Sequence, residues 1–405
     1  MSAREYDVII AGGGLVGGAL ACGLAHVGAR VAVIEAIPPS HAEQPSFDER
    51  TTALAPSTRN IFTAWGLWSD LAGAITPIRH IHCSEQGVLG CTHLDAEAEG
   101  TDALGWLAPN RALGATLNRR LAATAGADVY TPAELTSLER RAQNITVTAS
   151  GAQGEHLLRG SLLVAADGAR SRTRDMAGFS VAMQDYRQSA VITNVTPSRH
   201  HDGWAYERFT RSGPMAVLPI SEGHSTVVWS LSHTAAAERA SEPDEVFLAQ
   251  MQKAFGYRLG RLKECTQRHV YPLHGVRAPR LAGERVALAG NAAHALHPVA
   301  GQGLNLSLRD AAELVEIVHS ALSAGEDPGA EPALARYSQR RRADIERTRA
   351  FTNSLLRGFA IPGRFPRAVR GGALFTLSRC GPARRAFIRL AAGEMAPVPK
   401  AACQK

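Results

Sequence analysis

Apolar positions in the first part of the chain fall into two runs, residues 6–11 and 30–35, separated by a glycine turn at 12–18 and a helix-compatible stretch at 19–26. Strand, turn, helix and strand in that order predict a βαβ unit. Leu113, Leu117 and Leu121, four residues apart, predict a helix, whereas alternation through Ile145, Val147 and Ala149 predicts antiparallel strands. Residues 162–166 form another buried-strand candidate. Between 189 and about 271 the texture shifts to β-type runs such as 216–220 and 226–231, punctuated by Gly213, Pro214 and Gly223. Residues 285–289 then predict a return strand, followed by a glycine-rich loop and a helix over about 304–322. Beyond Pro332 the pattern is helical, arginine-rich and broken by Pro362, Pro366 and Pro382.

The expected class is α/β. A Rossmann-like nucleotide-binding domain is assembled from residues 1–80, 105–180 and 275–330, with a sheet-based substrate domain inserted as 81–104 and 181–274. A basic helical region follows at 331–405. A chain of 405 residues with 45% hydrophobic content has enough apolar material for more than one core.

No apolar stretch approaches the roughly 20 residues needed to cross a bilayer. Residues 1–6 carry Arg4 and Glu5 and lead straight into a strand, unlike a secretory signal, so a cytoplasmic location is expected. Six scattered cysteines (Cys22, Cys83, Cys91, Cys265, Cys380, Cys403) show no CxxC spacing, and neither a disulfide framework nor a zinc site is expected. The formal charge of +7 is concentrated near the end, where residues 347–389 contain no acidic residue. That placement argues against a nucleic-acid partner. It suits an anionic lipid surface, an oligomer contact or a solvated helical face.

Gly12, Gly14 and Gly17 form GxGxxG between a strand and a helix, and Glu35 ends the next strand. Gly12 permits the tight turn, Gly14 admits a pyrophosphate to the backbone, and Gly17 lets helix and strand approach. Free N–H groups at the helix start meet the phosphate charge, and Glu35 accepts from a ribose diol. The motif alone does not choose between FAD and NAD.

Two later segments make that choice. Residues 163–174 read LVAADGARSRTR, and 285–310 read RVALAGNAAHALHPVAGQGLNLSLRD. The first resembles the Asp-Gly motif of class A FAD-dependent aromatic monooxygenases, and the second resembles their flavin ribityl-binding motif. GNAA followed by HPVAGQGLNL is most similar to the ubiquinone-biosynthesis hydroxylases, in particular those acting on 2-polyprenyl-6-methoxyphenol. The resemblance implies a glutathione-reductase-type FAD domain, with Asp167, Gly168, Gly290, Asn291, Gly301, Gly303 and Asn305 at the cofactor. Most relatives carry Asp where this chain has Asn291, so one charge is missing. FDERTTAL at 47–54 implies a contact from Arg50, and Asn110 or Arg111 stands where relatives place a polar flavin contact. ERFTRSGPMAVLPI at 207–220 is similar to the strand beside the ring.

The implied reaction is hydroxylation of a polyprenylated phenol by way of a flavin hydroperoxide formed from oxygen, with the cofactor carrying the hard step. His297 and Pro298 are the candidate catalytic, ring-proximal residues, and the three-residue spacing of His294 and His297 fits hydrogen-bonded loop histidines better than metal ligands. A single GxGxxG leaves electrons to come from transient NAD(P)H or a partner reductase. Implied partners are the phenol, proteins of a ubiquinone-biosynthesis complex, the inner face of a membrane and a second copy of the chain. A prenyl reductase or epoxidase on the same scaffold, or a non-catalytic flavin-bound component, is the alternative.

Overall fold

A computed structural model describes residues 3–38, 50–152 and 154–393. Three sheets organise them. In the first, the opening strand Arg4–Ala11 lies centrally, paired in parallel with Val31–Ile34 on one side and Gly154–Ala165 on the other. Val8, Ile9 and Ile10 are fully buried, as expected for a parallel strand covered on both faces. Val286–Leu288 and Ala127–Tyr130 extend the sheet in parallel, while Ala133–Arg140 and Ile145–Gly151 form an antiparallel flap on Gly154–Ala165. The helix Leu15–His26 begins four residues earlier than the apolar pattern indicates, because Gly17 and Gly18 lie inside it. Their small size is needed: a Cβ on Gly17 would stand 1.8 Å from the Gly12 carbonyl oxygen.

The second sheet has nine strands, including Ala182–Pro197, Ser225–Ser232, Gly213–Pro219, Trp204–Thr210, His80–Glu85 and Cys91–Asp95. One face packs on the helix Asp244–Phe255 through Tyr206, Met215, Val217 and Trp229. On the opposite face Ala205 and Leu218 pack with Ile78 and Leu107, and the short strand His294–Ala295 pairs with His269–Arg277. The glycine-rich loop after Val286–Leu288 is thus tied to both sheets. A third, three-stranded sheet of Thr51–Leu54, Gly105–Pro109 and Thr76–Ile78 fills the space between them.

The long helix Gln302–Ser323 packs on Leu15–His26, and Glu331–Ala360 packs on it in turn. Arg364–Arg379 and Gly381–Ala391 complete the described chain. Pro362 separates two helices, whereas Pro366 and Pro382 fall in first turns, where the missing N–H costs no helix bond. The basic end is less free than its local composition implies. Arg367 and Arg370 pair with the buried Glu85, and Arg384 pairs with Glu99, across nearly the whole chain length. Cys22, Cys83, Cys91, Cys265 and Cys380 are free thiols, and Cys403 lies outside the described residues.

Tyr337, fully buried, donates from its hydroxyl to the Leu288 carbonyl at 2.7 Å, fastening Glu331–Ala360 to the last strand of the first sheet. Tyr337→Phe leaves that carbonyl without this donor and should destabilise the fold by about 1–2 kcal/mol, read as a lower denaturation midpoint with unchanged slope.

Candidate active site

The three glycine-bearing segments meet at the carboxyl ends of the parallel strands. Gly12 has φ +100°, and a Cβ there would stand 2.7 Å from the Ala166 oxygen and 2.8 Å from Asp167 Cα. Gly290, φ +61°, faces Val16, whose methyls would be 3.2 Å from an added Cβ. Arg174, the buried last residue of the 163–174 segment, donates to the Asp175 carboxylate and to the carbonyls of Ala169 and Ala292, and so bridges the second segment to the third. Sequence spacing offers no sign of this bridge, since the Ala292 carbonyl is 118 residues away.

Each motif residue has a definable position. Gly14 stands at the start of Leu15–His26 with extended backbone. The Glu35 carboxylate accepts from Gly13 N at 2.6 Å and Ile37 N at 2.8 Å, which fixes it at the strand end. Asp167 accepts from the Ser171 hydroxyl and from Thr173 N, and Gly168 turns with φ +89°. Arg50 lies over the Tyr271 ring, 4.7 Å from its centroid; residues 47–49 of the segment containing it lie outside the described residues. Asn110 is buried and accepts from Thr52 Oγ1, whereas Arg111 is exposed, so Asn110 is the inward member of that pair.

Asn291 is exposed at the cleft, and the buried charge of this region belongs to Asp310 instead. The Asp310 carboxylate accepts from Gly290 N, His294 Nε2 and Arg341 Nε at 3.0, 2.6 and 2.7 Å. Burial pushes its pKa up, but His294 and Arg341 outweigh that and bring it down to about 2. Arg341 also holds Asp344, which binds Arg309.

The Asn305 side chain is bound within the chain. Its Oδ1 accepts from Ala55 N and Thr58 Oγ1, and its Nδ2 donates to the Ala53 and Gly301 carbonyls. With two acceptor and two donor positions filled, the amide fixes the loop and has nothing left for a ligand. Gly301, φ +60°, approaches Ala53, while a Cβ on Gly303 would meet nothing within 4 Å. Gln302 Nε2 reaches the carbonyls of Ala300 and Ala391, so the last helix is latched onto this loop.

His297 is buried. Val299 N donates to its Nδ1, so the ring proton resides on Nε2 and is given to Gln188 Oε1 at 3.1 Å. Burial lowers its pKa to about 4, keeping the ring neutral. With both nitrogens engaged, His297 holds the loop entering Pro298 to Gln188. Away from this cleft, His82, Cys91 and His93 bring potential ligand atoms within 4.8 Å of one another, although their spacing gives no metal motif. Burial, helped by Arg258 at both imidazoles and by Arg208 at His82, disfavours protonation there.

The arrangement fits a flavin dinucleotide: a glycine cradle and helix start for phosphate, an acid for ribose, and an open loop with free space at Gly303. A family model described as an FAD binding domain matches residues 5–352. The ubiquinone hydroxylase UbiL of Rhodospirillum rubrum is 36% identical over 97% of this chain and 90% of its own length. The 3-demethoxyubiquinol 3-hydroxylase of Escherichia coli is 30% identical over 97% of this chain and 100% of its own. Among solved structures, p-nitrophenol 4-monooxygenase PnpA from Pseudomonas putida DLL-E4 superposes with a TM-score of 0.81 at 21% identity, covering 97% of this chain and 99% of that one.

Two substitutions probe the site. Gly17→Ala places a methyl against the Gly12 carbonyl and should abolish flavin retention, measured as the absorbance ratio of purified protein. Asp310→Asn should cost about 3 kcal/mol, the lower end for breaking a buried pair, since Arg341 keeps Asp344. Because the folded pKa is depressed, this contribution is complete above the unfolded value near ~3.9 and lost as pH falls toward about 2. The stability gap between wild type and variant should therefore close over that interval in acid-denaturation curves.

Proposed function

Because this chain belongs to the FAD binding domain family and is an FAD-dependent monooxygenase, we propose that it hydroxylates a polyprenylated phenol in ubiquinone biosynthesis. The single observation that carries the site assignment is the convergence of Gly12, Asp167 and Gly290 with the loop at 298–303. The substrate class is taken from the ubiquinone hydroxylases that match this chain over nearly its whole length. A 2-polyprenyl-6-methoxyphenol is the form we favour.

In this reading Gly12, Gly14, Gly17 and Glu35 hold the adenosine and pyrophosphate end, and Asp167, Gly168, Gly290 and Asn291 flank the ribityl chain. Arg50, Asn110, Gly301 and Gly303 surround the ring system, and Asn305 acts by fixing the loop. Bound FAD, reduced by NAD(P)H or a reductase, supplies the activated oxygen atom. The protein orients the phenol and excludes water. Exclusion has a structural basis on the C-terminal side, where Phe359 stacks on Phe209 of the second sheet at 3.5 Å between centroids.

Access from a membrane follows from the surface beside that stack. Among the described residues, no helix is long and apolar enough to cross a membrane. Leu89 is 96% exposed and Phe365 80%, with Ile361, Val369 and Phe375 also exposed. Arg364, Arg379, Arg385 and Arg389 are exposed around them. Apolar side chains ringed by arginine suit the interface of an anionic membrane, and we place the protein at the inner membrane face on this ground.

Under labelled dioxygen, purified protein given reductant and a short-chain prenylphenol should incorporate one labelled oxygen into the ring; a product without label points to a reductase. Phe365→Ser combined with Phe375→Ser should weaken co-sedimentation with anionic vesicles by at least about tenfold while flavin content is retained. Unchanged binding removes the membrane reading.

A further inference from the structure

One face of the second sheet carries a row of side chains that includes the start of the 207–220 segment. Strand register places Cys83, Glu207, Ala216, Val228 and Ile192 side by side across adjoining strands, all on one face. Every one is half-buried rather than sealed, although the other face of the same strands is packed tightly around Met215, Val217, Val227 and Val191. A half-buried, mainly apolar strand face of this kind suits one wall of a ring-binding cavity. Glu207 is the carboxylate in that row.

The setting of Glu207 is unusual for an acid. Glu85, on the same face two residues along from Cys83, is neutralised by Arg367 and Arg370. Glu207 has no cation partner among the described residues. Its contact is instead the backbone N–H of Ala300, inside the loop that carries Gly301 and Gly303. Ala300 holds a left-handed φ of +61°, and its carbonyl is fastened by Gln302, so this N–H is fixed in direction. One carboxyl group therefore joins the apolar row to the loop proposed to lie against the flavin. Burying an unpaired carboxylate is costly, and nothing in the packing of the second sheet needs it.

We propose that Glu207 is the catalytic base that accepts the hydroxyl proton of the phenol as the ring is oxygenated. This rests on the functional reading above. In the step, the phenol O–H bond breaks and an O–H bond forms on the carboxylate. The electron pair left on the phenol oxygen is delocalised to the ortho and para carbons; one of them takes one oxygen atom supplied through FAD and dioxygen and loses its hydrogen as a proton when the ring regains aromaticity, while the second oxygen atom leaves as water with the two electrons from NAD(P)H or the reductase. The proton returns to solvent after product release. Burial pushes the Glu207 carboxyl up to about 7, against the smaller lowering effect of the Ala300 N–H, which suits a base working near neutrality. The neighbouring groups titrate elsewhere: Cys83 is pushed up to about 12 by burial and by Glu207 itself, and His297 is lowered to about 4. Arg208 projects to the other face, donating to Ser84 and to the Ala254 carbonyl.

Glu207→Gln keeps an acceptor of the same shape and removes the base. In FAD-loaded enzyme with a short-chain prenylphenol, the variant should retain flavin and KM within about threefold, while kcat at neutral pH falls about 10²-fold or more. Wild-type kcat should rise with pH through about 7, and the variant should lack that limb. A second readout needs no turnover. The phenol dissociation constant, followed by perturbation of the oxidised flavin spectrum, should vary with pH between 6 and 8 in wild type but not in the variant. Glu207→Asp should recover part of kcat, separating loss of the base from misfolding. A Gln variant with wild-type kcat and an unchanged pH limb overturns the assignment to Glu207 and leaves the functional reading standing. Wild-type enzyme that neither binds nor hydroxylates the phenol overturns both.

Discussion

A carboxylate with no access to solvent organises the cofactor side of this protein. Asp310 gathers the Gly290 N–H, His294 and Arg341 at one point. Each of the three belongs to a different stretch: the end of the last parallel strand, the loop that crosses to the second sheet, and the long helix Glu331–Ala360. An ion this deep is tolerated only when its hydrogen bonds are well satisfied, so the three stretches cannot drift apart independently. Gly290 is thereby held against Val16, and the loop that follows leaves His294 in a fixed direction. Satisfying one charge fixes the height at which the flavin loop enters the cleft.

The face proposed to receive the substrate is built on the opposite principle. There the second sheet offers an apolar face that its own side chains do not fill, bordered by Phe209, Phe359 and the C-terminal helices. Rigid polar bonding holds the cofactor loop, whereas the cavity beside it depends on packing left incomplete. Neutral His297, bonded through both nitrogens, stands at the seam between the two regimes.

Much of this was legible in the residues. The apolar runs and GxGxxG place the opening βαβ unit, and the order of the Asp-Gly and GNAA segments implies the cofactor. Local periodicity reports such features because they are contiguous. It does not report the bond from Arg174 to Ala292 or the pair of Asp310 with Arg341, whose members are 118 and 31 residues apart and become neighbours only when the sheet closes. The arginine-rich end shows the same effect in reverse. With no acid nearby in sequence it reads as a free positive patch, yet Glu85 and Glu99, close to 285 residues away, take up three of its guanidinium groups. Asn305 sits in a motif that implies a cofactor contact, yet the four hydrogen bonds of its side chain are all internal, with partners up to 252 residues away.

The latch between Gln302 and the Ala391 carbonyl spans 89 residues of chain, and Ser57 makes a companion bond to Ala392. On a ribosome, every glycine of the dinucleotide fingerprint and the whole flavin loop emerge well before the helix that fastens them. The bond that fastens the loop at 298–303 therefore forms only after residue 391 has been made, later in synthesis than every element it holds in place.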